Sequence, residues 1–211
     1  VIDANYYPTK ETETSNMKHR PIGLGVQGLA DVFAMMKMPF DSEEARALNK
    51  QIFEHMYYYS LEESNRLALT RGKYSTFEGS PLSRGELQFD LYDKEVELCG
   101  ELDWEDLRKK VVYGGVRNSL MIALMPTAST SQILGNNECF EPFTSNLYTR
   151  GTLSGTYIIS NKHLVKDLEE IGMWTEETRN ALMRDNGSVV NLPIPSEIKQ
   201  RYKTAYEMSM K

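Results

Sequence analysis

The sequence predicts an α/β chain, and three observations carry that prediction. Apolar residues recur at helical spacing in several long stretches. One short apolar run, Leu120 to Met125, is bounded by polar residues and Pro126. Its length suits a strand buried on both faces, as in a parallel sheet. No repeat, low-complexity tract or Pro/Gly/Ser-rich linker divides the 211 residues, so the chain reads as a single segment, 1–211. Long helices alternating with a few buried strands belong to the α/β class.

In chain order, the first twenty residues are polar and read as irregular. Pro21 to Gly28 is short and apolar, followed by Leu29, Val32, Phe33 and Met36 at helical spacing. A long helix is predicted to start at Asp41, with Glu44 as its capping-box partner, Ala45, Leu48, Ile52, Met56 and Tyr59 as its apolar stripe, and Arg71-Gly72 as its stop. Residues 72–101 carry turn chemistry. Trp104, Leu107 and Val111 mark a short helix that Gly114-Gly115 ends. Further helices are predicted over 162–171, 176–184 and 197–210, with Thr175 and Ser196 as N-caps and Asn186-Gly187 as a turn.

Composition narrows the function. The chain is 40% hydrophobic and 26% charged, which excludes disorder, and at this length folding buries roughly 70% of the unfolded chain's surface. A net charge of −6 argues against a sequence-independent nucleic-acid binder, which needs a broad basic face. A small phosphorylated ligand stays open, because a few backbone N–H groups suffice to hold one. No apolar stretch approaches a membrane span and no signal peptide is present. Cys99 and Cys139 provide no disulfide framework or zinc ligand set, and His19, His55 and His163 share no metal-ligand spacing, so no metal site is expected. The chain opens Val1-Ile2-Asp3 without an initiator Met, which fits a piece of a longer protein.

Two segments invite a nucleotide. Gly23-x-Gly25-x-x-Gly28 spells the dinucleotide-binding pattern, but only Pro21-Ile22 precede it as strand, and the acidic residues about twenty positions on sit at a helix start. Close-packing glycines are the expected reading; a dinucleotide-binding module is the alternative, and a non-catalytic scaffold a third. The second segment, Pro126-Thr127-Ala128-Ser129-Thr130-Ser131, follows the apolar run and precedes Gln132-Ile133-Leu134. Small residues admit a ligand close to the backbone, hydroxyls add donors without bulk, and a helix start adds unpaired N–H groups. That combination suits a phosphate or diphosphate, and equally a Ser/Thr-rich cap with nothing bound.

The surrounding residues decide between these. Trp104-x-x-Leu107, Gly115-Val116-Arg117-Asn118, Ile122-Ala123 and Pro126 in order resemble the signature of the ribonucleotide reductase large subunit. Pro126 to Ser131, Arg20 to Asp31, Gly135 to Pro142 and Thr144 to Thr149 are similar to further blocks of that family, of the class I, aerobic, eukaryote-like kind. The resemblance implies the later half of a ten-stranded α/β barrel with long flanking helices. It implies part of an enzyme that reduces ribonucleoside diphosphates to deoxyribonucleoside diphosphates for DNA synthesis by a thiyl-radical mechanism. Thr127, Ala128, Ser129 and Thr130 match the positions that hold the substrate diphosphate. The family's catalytic cysteines, radical-relay tyrosines and allosteric ATP-binding region match nothing in this chain. The implied partners are a metal-containing, radical-generating small subunit, a thioredoxin- or glutaredoxin-type reductant and a second large subunit, in the cytoplasm.

Other residues receive plainer readings. Tyr57-Tyr58-Tyr59 is expected to pack within a helix, with Tyr59 on the apolar stripe. Both cysteines are expected to be inert. Glu138 and Glu141 are read as ordering the loop or fixing Arg117. The run Asp167-Leu168-Glu169-Glu170 is read as a solvated helix face.

Overall fold

The computed structural model describes residues 1–209 and divides into two compact units. The first comprises Val1–Gly25 with Leu48–Met125, and the second Val26–Ala47 with Pro126 onward. Each unit takes two separate stretches of chain, so no linker composition marks their boundary.

The first unit holds helix α1 (Lys10–His19), where an irregular segment was expected. No residue of α1 is buried, so it lacks the apolar stripe that betrays a helix in sequence. It is fixed at its ends instead: Thr9 and Thr12 form a capping box, and Arg20, at φ 49°, closes the carboxyl end. Glu43–Arg71 forms a 29-residue helix, α3, most of which belongs to this unit; α2 precedes it in the second unit. The buried residues of α3 here are Tyr58, Leu61, Ser64, Asn65 and Ala68. Of the predicted series, Ala45 is buried in the second unit, Leu48, Ile52 and Met56 are half-buried, and Tyr59 lies exposed. Helix α4 (Trp104–Gly114) matches its prediction, with Asp103 accepting the Asp106 N–H as cap and Trp104, Leu107 and Val111 buried. These side chains join Tyr74, Phe77, Leu87, Val116 and Met121 in one core.

The predicted strand 120–125 is extended only in part. Leu24 and Ile122 form a parallel bridge, with Leu24 donating to the Met121 carbonyl (2.7 Å) and Ala123 to the Leu24 carbonyl (3.0 Å). It is not buried on both faces. Met121 is in the core, but Leu120 is 64% exposed, and Leu124 and Met125 are exposed as well. A strand is buried on both faces only when layers cover both, and in this unit one face alone packs on a core.

The second unit contains α2 (Leu29–Met35), α5 (Thr130–Leu134), an antiparallel hairpin of β1 (Leu147–Thr152) and β2 (Gly155–Ser160), and helices α6 (Lys162–Glu170), α7 (Glu176–Arg184) and α8 (Ser196–Arg201). The first turn of α3 also falls here, and its cap is Ser42, whose Oγ accepts the Ala45 N–H at 3.1 Å. Asp41, the expected cap, pairs with Lys203 at 2.9 Å. Thr175 caps α7 as predicted. Ser196 is the first helical residue of α8 rather than its cap, and that helix stops at Arg201. Its early end follows from a competing bond: the Ala205 N–H goes to the Phe143 carbonyl (2.8 Å) instead of continuing the helix. Leu147, Leu164, Leu168, Leu182, Val189, Leu192, Ile198 and Tyr202 form the core. Asp167 is not on a solvated face; it pairs with Arg201 and accepts the Tyr202 hydroxyl (2.8 Å). No helix among the described residues is long and apolar enough to cross a membrane.

Candidate functional site

The loop from Thr127 to Thr130 is built from its own backbone outward. Thr127 adopts a left-handed φ of 54°, which costs an L-residue roughly 1–2 kcal/mol. Its Oγ1 accepts the Cys139 N–H at 2.8 Å and its carbonyl accepts the Ser131 N–H at 2.9 Å, so the turn is held from both sides. The Thr130 hydroxyl donates to Gln27 Oε1 at 2.9 Å. Ala128, Ser129 and Thr130 are exposed. Their backbone N–H groups, and the Ser129 hydroxyl, donate to nothing among the described residues. Four donors on this exposed, neutral loop at the start of α5 thus have no partner among the described residues. An anion is the ligand such a set satisfies without burying a charge.

The glycine segment behaves differently. A Cβ on Gly25 would lie 2.7 Å from the Ala123 carbonyl oxygen, so that glycine exists to let two backbones approach. Gly28 is buried at φ 78°, and its N–H and that of Leu29 donate to the carbonyls of Asn137 (3.0 Å) and Cys139 (3.4 Å). Two of the N–H groups at the amino end of α2 are therefore taken up by protein carbonyls. Asp31, one turn in, accepts the Asn137 N–H (2.6 Å) and bonds His163 Nε2 (2.8 Å). Burial pushes the Asp31 carboxyl up, but the bonds from His163 and Asn137 outweigh it and leave it below the ordinary value. No dinucleotide site is formed at these glycines.

Beside the loop's helix, a cavity of about 430 Å³ opens in the same unit, lined by Ser131, Asn136, Glu138, Arg150, Asn161 and Lys162 among others. The Ser131 hydroxyl is fully buried and lacks a partner. Lys162 donates to the Gly135 carbonyl at 2.5 Å and lies 4.0 Å from Asp31. Glu138 and Glu141 order the loop's continuation through backbone bonds, with the Glu141 N–H on the Glu138 carbonyl and Asn137 Nδ2 on that of Glu141. Arg117 is held within the first unit, its guanidinium donating to the carbonyls of Arg71 (2.8 Å) and Gly72 (2.9 Å) at the end of α3.

Arg117's neighbour Asn118 is also architectural. It exchanges bonds with Ser64 and donates to the Arg20 carbonyl at 3.0 Å, locking the segments that carry the parallel bridge. Tyr57 and Tyr58 pack on Trp104, with Tyr57 accepting the Gln88 N–H at 3.0 Å. Cys139 is buried, and Cys99 partly so. One cluster is not visible from sequence: His55, Cys99 and Glu101 converge, with one ligand atom of each lying within 4.8 Å of the others. No regular spacing announces residues 44 positions apart.

Comparison with known proteins agrees with the residue-level resemblance. The barrel-domain family of ribonucleotide reductases matches residues 1–211. The chain is 57% identical over 212 residues to the ribonucleoside-diphosphate reductase large subunit of Caenorhabditis elegans, covering all of this chain and 27% of that protein. It is 57% identical to large chain 2 of the same enzyme from Saccharomyces cerevisiae, again over all of this chain and 24% of the relative. Among solved structures, the class Id ribonucleotide reductase alpha subunit of Actinobacillus ureae superposes with a TM-score of 0.69 at 27% identity, over 93% of this chain and 30% of that one. The chain thus spans about a quarter of the length of the curated relatives it matches. The α/β barrel class expected from sequence is that of the matched family, although the described residues carry no closed sheet.

Proposed function

The chain belongs to the ribonucleotide reductase barrel-domain family, and on that premise we propose that it supplies the substrate-diphosphate end of a ribonucleoside-diphosphate reductase large subunit. The observation that carries this reading is the outward set of unpaired donors at Ala128, Ser129 and Thr130 on a turn fixed by Thr127. In the proposed complex the three amides and the Ser129 hydroxyl donate to diphosphate oxygens. Thr127 holds the turn, and Gln27 holds Thr130. A neutral loop binds the anion through dipoles and leaves product release easy, which suits an enzyme that must turn over. Residues 1–211 act together as one segment of the barrel.

The thiyl-radical chemistry is assigned to cysteines outside these residues. Cys139 is 2% exposed, and burial holds the Cys99 thiol above its ordinary value, with the Glu54 and Glu101 carboxylates acting in the same direction. A thiol so held is a poor source of thiolate, which fits Cys99 standing outside that chemistry. The same reading brings a radical-generating small subunit with its metal, a thioredoxin- or glutaredoxin-type reductant, a second large subunit and a cytoplasmic setting.

The test is an NMR titration of the chain with pyrophosphate and with a ribonucleoside diphosphate. Amide shifts should concentrate at residues 127–131. Ser129→Asp should weaken binding about fivefold or more, since two like charges ~4 Å apart in water repel by about 1 kcal/mol. Shifts centred on Gly23–Gly28 instead, or equal affinity in the variant, would overturn the assignment.

A further inference from the structure

His55 of α3 meets Cys99 and Glu101 of the segment before α4, all within the first unit. We propose that these three side chains bind a borderline-soft divalent cation of the zinc class and so fasten that segment to α3.

The His55 ring is already set as a ligand. Its Nδ1 lies 2.8 Å from the Gln51 carbonyl, an acceptor that only an N–H can engage. In the neutral ring Nε2 then carries the lone pair, and it lies 3.6 Å from the Glu101 carboxylate. A backbone carbonyl on the far nitrogen is how proteins orient metal-binding imidazoles. Glu101 is steered by Gln51 Nε2 at 3.5 Å. Cys99 is positioned through its backbone: Glu54, one position before His55 on α3, accepts the Cys99 N–H at 2.7 Å with one oxygen and the Trp104 indole N–H at 2.9 Å with the other.

The donor set selects the ion. Sulfur with imidazole disfavours magnesium and calcium, which prefer oxygen alone, and suits zinc or cobalt. Tetrahedral zinc with ligands at about 2.0–2.3 Å requires donor separations of roughly 3.3–3.8 Å. The His55–Glu101 pair already meets that. The full set lies within 4.8 Å, and rotation of the Cys99 and of the exposed Glu101 side chain would close it to that range. Solvent takes the fourth position. On binding, the metal–sulfur bond replaces the thiol S–H and the proton leaves to solvent, so affinity rises with pH.

Cobalt(II) titration of the full chain tests this, with zinc as competitor. The native chain should develop a sulfur-to-cobalt charge-transfer band and tetrahedral d–d bands that zinc abolishes. Cys99→Ser should lose the charge-transfer band while Cys139 remains. Glu101→Gln, at an exposed position that leaves folding intact, should weaken binding at least ~10-fold, the loss that removing even an outer partner causes. No band in the native chain with excess cobalt, or a band that survives Cys99→Ser, would overturn the proposal.

Discussion

The glycine segment and the hydroxyl loop both look like phosphate cradles in sequence, and they differ in where their donors go. Gly28 and Leu29 give their N–H groups to carbonyls of the same chain, whereas Ala128, Ser129 and Thr130 keep theirs for something else. A buried donor without a partner costs roughly 1–3 kcal/mol, so a folded chain pairs those it encloses. Donors left over on an exposed and internally braced turn are the ones available to a ligand. A motif's letters are therefore weaker guides than the fate of its backbone hydrogens.

That contrast is most directly broken at Gly25. Gly25→Ala places a methyl 2.7 Å from a backbone oxygen that cannot give way, and overpacking of this kind costs about 1–3 kcal/mol. A lowered urea midpoint should report it. An unchanged midpoint accompanied by lost diphosphate binding would return the glycines to a binding role.

The next effect lies in the loop itself. Thr127→Val removes the acceptor of the Cys139 N–H and leaves that donor unpaired, at a cost of roughly 1–3 kcal/mol that part of the structure will relax away. Diphosphate shifts at 128–130 should shrink or vanish in Thr127→Val and return in Thr127→Ser, which keeps the oxygen. Equal behaviour of the two variants would mean that the turn does not depend on that bond.

The smallest effect appears only in acid. Asp31 has a folded carboxyl value below its unfolded one despite its burial, because His163 and Asn137 bond the charged form. Its contribution is present above the unfolded carboxylate range, ~4, and is lost as pH falls through the lower folded value. Asp31→Asn should flatten the acid limb of a stability-against-pH curve while the native chain slopes downward. Parallel acid limbs would show that the charge at α2 contributes nothing.

Where the sequence could be read, burial had left a period in it. Trp104, Leu107 and Val111 repeat at helical spacing because one face of α4 is enclosed. The hydroxyl loop was legible for the same reason, since small residues after an apolar run stand out. Helix α1 left no trace because nothing on it is buried. The β1–β2 hairpin was missed although Tyr157-Ile158-Ile159 is strand-like, since a largely exposed ribbon offers no clean alternation. Residues 120–125 differ in another way. An apolar run reports what a segment is suited to, and in this unit only one face has a core to cover it.

The bracing of Thr127 by Cys139 has a consequence for how the chain tolerates changes in length. Asn137 and Cys139 also receive the N–H groups of Gly28 and Leu29, so the stretch from 127 to 139 is tied at several points to fixed neighbours. An added or deleted residue there would shift every tie at once and put the proposed diphosphate-binding turn out of register. Among the described residues the hairpin tip at Leu153-Ser154 has no such anchors outside its own ribbon, and Leu153 is fully exposed. Extra residues, a tag or a reporter belong at that tip, where the ribbon lengthens without disturbing the turn proposed to bind diphosphate.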